Sequence, residues 1–249
     1  MANFVPLKNY LLYCIDRLID KHRCLGPFLD IGCGIGDVSR HLARKEWHGE
    51  AIDISPDAVE NTRTNLTDFN AVKVTQRCLL EQKGAFNTIF LLDVLEHIED
   101  DISVLKKINT FLNHDGHLII SVPHNAREWR WDDDVYGHYR RYDYKEIEEK
   151  LLIAGFIPLT CWDFTFPCFW LMRRVYAKLK SAPEGIALDN HTKTRRSALN
   201  NAWDIPIFSK MLSEHVLLWK LLYAVQFKFF KNKINRGHEI LILASKVNK

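Results

Sequence analysis

Three groups of residues in this 249-residue chain have types and spacings suited to chemistry. Asp93, Glu96 and His97 stand at i, i+3 and i+4, which on a helix puts two carboxylates and an imidazole on one face. His97 is a candidate general base. The same three side chains could instead hold a divalent metal. A third arrangement involves no chemistry: Asp93 as N-cap with Glu96 at the third helical position makes a capping box. The second group lies in residues 123–142, dense in His, Trp, Tyr, Arg and Asp, where long segments often cover a site. His124, Trp131, His138, Arg140, Arg141 and Tyr142 stand out, and His138, Arg140 and Tyr142 join His97 as catalytic candidates. Arg140 and Arg141 suit a clamp on a phosphate or carboxylate, the alternative being that one of them pairs with the Asp132–Asp134 run. The third group is Gly32, Gly34 and Gly36, following Asp30, with Asp53 further on. Glycine lets backbone turn sharply and approach a ligand closely, and such a turn between a strand and a helix suits a nucleotide-like ligand.

The elements that must position these groups follow a regular alternation. Phe28–Ile31 reads as a buried strand, Asp37–Trp47 as a helix and Glu50–Ile54 as a second strand. Ser55 and Pro56 open a helix running to about Phe69, before a short third strand over Val72–Thr75. Phe86–Leu92 is a long apolar strand, followed by a helix from about Val94 to Leu112, a turn over Asn113–Gly116 and a fifth strand over His117–Val122. Asp143–Ala154 reads as a helix ended by Gly155, and Phe156–Trp162 as a sixth strand. The last strand fits Glu239–Ser245, some seventy residues later. Ahead of everything, residues 6–24 form an amphipathic helix, a core element or a lid over the ligand. The fold expected is α/β: a doubly wound, Rossmann-like, seven-stranded, mostly parallel sheet with helices on both faces and an α-helical insert before the last strand. Its parts are an N-terminal helix (1–24), a core (25–163), an insert (164–236) and a last strand with tail (237–249).

Composition fits a folded protein, with 47% hydrophobic and 26% charged residues and a net charge of +3 that does not by itself call for nucleic acid. Six cysteines without a CxxC pair read as reduced thiols of a cytoplasmic protein rather than disulfides or a zinc site. The N-terminus shows no secretory signal pattern, and no apolar run is long enough to span a membrane.

A glycine turn alone also fits a NAD-binding fold, but here it is GxGxG preceded by an acid, with Asp53 at the end of the second strand placed to accept ribose hydroxyls. The segments Asp30–Gly36, Ala51–Ser55 and Phe86–Ile98, in that order, resemble class I S-adenosylmethionine-dependent methyltransferases, over about residues 25–160. The resemblance is closest to the bacterial-type group with VLEHI after the fourth strand and GHYRRY further on, here Gly137–Tyr142. It implies S-adenosylmethionine as cofactor. Asp30 and the Gly32–Gly36 loop, with Cys33, Gly34 and Gly36, would hold the methionine part, and Asp53 the ribose. Ile54, Cys78 and Leu79 would border the adenine, and Leu92 and Asp93 would line the methyl end. The group often carries an acid near Cys78, so the cysteine is a departure. No metal is expected, the Asp93, Glu96 and His97 set being the alternative.

Residues 164–236 hold thirteen Lys or Arg against four Asp or Glu, a net of +9, leaving twenty-one against twenty-seven elsewhere. Phe164–Lys180 and Val216–Phe230 mix large apolar side chains with basic ones, the pattern of an interfacial helix. The insert is therefore expected either to meet an anionic membrane surface, placing the chain peripherally at its inner face, or to pack as helices; nucleic acid suits it less well. The activity expected is methyl transfer to an oxygen or nitrogen of a small or lipid-linked acceptor. A NAD-binding oxidoreductase and a non-catalytic cofactor-binding, membrane-docking module are the alternatives.

Overall fold

Phe28–Ile31, four buried residues in succession, form β1, the strand against which the rest of the sheet is laid. The computed structural model describes residues 5–180 and 215–247. From β1 the chain builds outward on one side through α2 (Asp37–Ala43), β2 (Gly49–Asp53), α3 (Pro56–Asn65) and β3 (Val72–Gln76). It then crosses to the other side of β1 with β4 (Phe86–Leu92), α4 (Asp101–Phe111) and β5 (Leu112–Pro123). The strand order is β3-β2-β1-β4-β5-β7-β6, where β6 is Phe156–Asp163 and β7 is Glu239–Lys246. β7 runs against the direction of the other six strands, filling the gap between β5 and β6 and pairing antiparallel with both. The reversal of strand order between β1 and β4 opens a crevice beyond their C-terminal ends, where ligands of such sheets bind.

The period of two along each strand divides the core. Leu29 and Ile31, Ile89 and Leu91, Leu118 and Ile120 face α4 and α6 (Tyr144–Ile153). Phe28, Phe90, Ile119, Leu241 and Leu243 face the opposite layer, which contains α1 (Pro6–His22), α7 (Cys168–Leu179) and α8 (Val216–Phe230). Helix α1 starts with proline in its first turn and buries Tyr10, Cys14, Ile15 and Leu18. The described part of the insert packs on it. The Tyr10 ring lies 5.6 Å from that of Phe169 and 5.1 Å from that of Tyr223, whose hydroxyl donates to the Pro6 carbonyl at 2.8 Å. Asp163 ties both ends of the insert to the sheet, accepting from the backbone amides of Thr165 (2.8 Å), Phe166 (2.9 Å) and Gly237. Residues 1–4, 181–214 and 248–249 of the expected segments lie outside the described residues.

Several expectations are corrected. Asp93, Glu96 and His97 do not share a helix face, and no capping box forms. Asp93 takes φ +53°, a left-handed conformation that does not continue into a helix, and Leu95–His97 is a single 3-10 turn. The helix begins seven residues later than expected, where the Asp100 carboxylate accepts from the Ser103 amide at 3.1 Å. Residues 123–142, to which no regular element was assigned, contain a short helix, α5 (Trp131–Tyr136), closed by Gly137 at φ +74°. Asn113–Gly116, read as a turn, is a bulge within β5, where pairing with β4 slips between Phe86 and Thr88.

Candidate active site

The crevice holds a cavity of about 560 Å³. Its floor is the glycine turn after β1 and the ends of β2 and β4; its roof is α1, through Leu7, Lys8, Leu11 and Leu12. Lys8 also pairs with Asp37 of α2, fixing the roof to the turn beneath.

At the cofactor end, Gly32, Gly34 and Gly36 have φ of +70°, +55° and +81°, conformations that side chains resist. A Cβ on Gly32 would run into Val94, and one on Gly36 would stand 2.8 Å from Thr62 Cγ2. Gly32, Cys33 and Gly34 line the cavity; Gly36 does not, and instead opens α2. The Asp53 carboxylate accepts from the Gly34 amide at 3.0 Å and the Ser55 amide at 2.8 Å, so β2 and the turn are locked together at the cavity wall. Burial raises its carboxyl above the ordinary range, opposed by those amides. Asp30 lines the same wall, accepts from the Ser39 hydroxyl at 2.6 Å, and is pushed up to about 6 by burial. Ile54, Cys78 and Leu79 border the cavity together with Leu80, an exposed leucine that sequence reasoning missed. These residues fit the cofactor: the turn is a cradle that side chains would fill, and Asp53 offers acceptors to hydroxyls. Leu92 and Asp93 line the floor beyond, with Asp93 held by the Ser121 hydroxyl, which donates to it at 2.6 Å.

Further along the same cavity, Glu96, His97 and His138 come together. Each offers one ligand atom within 4.8 Å of the others, so this trio, rather than Asp93, Glu96 and His97, is the set with metal-like spacing among the described residues. His138 Nδ1 lies 2.9 Å from Asp133 Oδ1, a residue that is fully buried. A carboxylate there makes Nδ1 the protonated nitrogen, leaving Nε2 as the acceptor in the neutral ring. Nε2 stands 3.9 Å from Glu96 Oε1, too far for a hydrogen bond. Glu96 is 1% exposed, and its Oε2 has no hydrogen-bond partner among the described residues. Burial, then the nearby Asp93 charge, push its carboxyl well above the carboxylate range. The rings of His97 and His138 meet edge to face at 4.9 Å, and burial lowers His97 to about 3, so that ring is neutral at physiological pH.

The sequence does not single out Asp133; its signal is the Asp132–Asp134 run, which by residue type alone suggests only a partner for arginine. It also accepts from Arg141 Nε at 2.9 Å and Arg173 Nη2 at 2.9 Å, and the latter binds α7 to α5. Burial opposes the charge of Asp133, but His138 and the two guanidiniums hold its carboxyl far below the usual range. The remaining candidates lie away from the cavity. Arg140 donates to Asp101 at 2.9 Å and to the Glu99 carbonyl at 2.8 Å, and the buried Tyr142 hydroxyl donates to Asp101 at 2.9 Å. Arg141 is buried on Asp133 and the carbonyls of His124 and His238. An arginine clamp on a ligand is therefore not formed, because each guanidinium is taken by an internal acid.

A family profile described as a methyltransferase domain matches residues 7–159. A ubiquinone biosynthesis O-methyltransferase of Xanthomonas euvesicatoria pv. vesicatoria (strain 85-10) is 30% identical over 98 residues, 37% of this chain and 41% of that protein. The chain thus spans about two fifths of the length of the curated relatives it matches. Among solved structures, the N-methyltransferase NodS from Bradyrhizobium japonicum WM9, in complex with S-adenosyl-L-homocysteine, has a TM-score of 0.52 at 19% identity, over 63% of this chain and 78% of that one. The cyclase SpnF has a TM-score of 0.59 at 16% identity, over 96% of this chain and 81% of that one. Likeness at such identity concerns the fold alone, and a fold hosts more than one reaction. The family match, by contrast, extends over more than half of the chain and across the whole cofactor half of the cavity, and on it the chain belongs to the class I S-adenosylmethionine-dependent methyltransferases.

Proposed function

We propose that this chain methylates an oxygen or nitrogen of a small or lipid-linked acceptor, with His138 taking the proton that the acceptor gives up. The observation that carries this reading is the Asp133–His138 pair, in which Asp133 engages Nδ1 and the ring lines the same cavity as the glycine turn and Asp93. When bound, S-adenosylmethionine supplies a methyl group already activated on a sulfonium. The chain's own work is then to align the acceptor, exclude water and receive a proton. Gly32, Gly34 and Asp53 would hold the cofactor, and the α1 roof, with Leu7, Leu11 and Leu12, would exclude water and receive an acceptor of largely apolar body. Asp133 fixes the His138 tautomer and stabilises the ring once it is protonated. Glu96, whose carboxyl stays neutral well above the ordinary range, can donate to the acceptor. The name of the Xanthomonas relative favours oxygen as the methylated atom.

His138→Ala tests the role. Turnover should fall by about 10²–10⁴-fold while S-adenosylmethionine binds, by calorimetry, as it does to the wild type. Undiminished turnover removes His138 as the base.

A further inference from the structure

Helix α8 is apolar on both sides, unlike a surface helix whose outer side meets water. Its inner side, through Trp219 and Tyr223, is buried against α1 and α7. Its outer side carries Leu217, Leu218, Leu221, Val225 and Phe229, of which Leu217 is 81% and Phe229 60% exposed. These five fall within about one third of the helix circumference at 100° per residue. Lys228 lies within that face and Lys220 beside it, Lys231, Lys233 and Arg236 follow it, and no Asp or Glu occurs from residue 215 to residue 238. Contiguous exposed apolar patches of this kind mark interaction sites.

The charge pattern selects the partner. In a two-fold pairing of two copies the same patch meets itself, which would set these cations against each other with no acid between them. A bilayer containing anionic lipids answers both features, taking the leucines and Phe229 at the acyl boundary and the lysines at the phosphates. With 15 residues α8 is too short to span a bilayer, and no described helix is long and apolar enough to do so, so the fit is to the bilayer surface. We propose that the outer face of α8 docks on an anionic membrane surface. The same helix holds the cavity roof, through Tyr223 and Pro6. Docking would therefore place α1 and the cavity beside the membrane, where a lipid-linked acceptor resides. This last consequence rests on the proposed function; the docking itself does not.

Flotation of the full-length protein with phosphatidylcholine vesicles, with and without phosphatidylglycerol, tests the docking independently of turnover. The protein should float with the anionic vesicles at low salt and be released by high salt. Lys220→Gln with Lys228→Gln should weaken that binding about thirtyfold, and Leu221→Asp with Phe229→Asp should abolish it. Both double variants change only exposed side chains, and their S-adenosylmethionine affinity should match the wild type. The proposal is overturned if wild-type protein fails to float at low salt, or floats undiminished in both variants. It is equally overturned if the protein elutes as a dimer that Leu221→Asp splits, which would make the face a subunit interface.

Discussion

Asp133 meets three positively charged or protonatable side chains, His138, Arg141 and Arg173, in a fully buried position. Removing its charge should therefore both loosen the α5–α7 contact and free the His138 ring. Asp133→Asn should cost stability on the scale of a broken buried ion pair, about 3–5 kcal/mol. A merely structural role predicts that alone. A positioning role predicts in addition that the His138 ¹⁵N signals change from a single Nδ1–H tautomer to a mixture, with turnover lost in the folded fraction. An unchanged tautomer would confine Asp133 to packing. Asp53 makes a different test, because it faces the cofactor cavity directly. Asp53→Ala should weaken S-adenosylmethionine binding by about 1.5–3 kcal/mol, the scale of hydrogen bonds to a charged group. Unchanged affinity by calorimetry would refute the ribose role. The two acids differ in how far sequence revealed them. Asp53 ends a strand at a fixed place after a glycine turn, a local pattern; Asp133 acquires its role only when α5 brings it under His138.

At the scale of elements, the strands were legible because each is a short apolar run: six of the seven fall within one residue of their expected places, and β5 begins five residues early because it takes in the bulge at Asn113–Gly116. The stretch after β4 was not. Its apolar spacing continues through Leu95 and Ile98 into α4, but the left-handed Asp93 and the Asp100 cap split it into a 3-10 turn and a later helix. That split is what turns Glu96 and His97 toward the cavity and His138. The attachment of the insert was equally hidden, since Asp163 and Gly237 are far apart in sequence. Gly237 packs so closely on Asp163 and Thr165 that a Cβ there has no room. Gly237→Ala should destabilise the fold by about 1–3 kcal/mol in urea melts, the usual range for overpacking a dense site. A neutral result would mean that this junction shifts freely.

For the whole molecule, the charge asymmetry that pointed to an anionic partner is partly answered within the chain. Arg173 pairs with Asp132 and Asp133, and Arg174 with Glu128. What is left over in the described insert belongs chiefly to α8 and the residues after it. Stability should also depend on pH through Asp30, which burial raises from an ordinary 3.8 to about 6. The folded chain binds that proton more tightly than the unfolded one. Its contribution is complete below about pH 4 and is lost as pH rises through about 6, amounting to about 3 kcal/mol. Asp30→Asn keeps an acceptor for the Ser39 hydroxyl and removes the titration. Relative to wild type the variant should therefore gain about 3 kcal/mol between about pH 4 and about pH 7 in chemical denaturation. A difference from wild type that is the same at both pH values contradicts this.

Methyl transfer by this chain is tested most directly by supplying methyl-labelled S-adenosylmethionine and cell extract to the purified protein and searching for labelled product by mass spectrometry. A labelled product heavier by one methylene equivalent should form with the wild type, and about 10²–10⁴-fold more slowly with His138→Ala. Labelled cofactor that binds but transfers no methyl group to any component would contradict that activity.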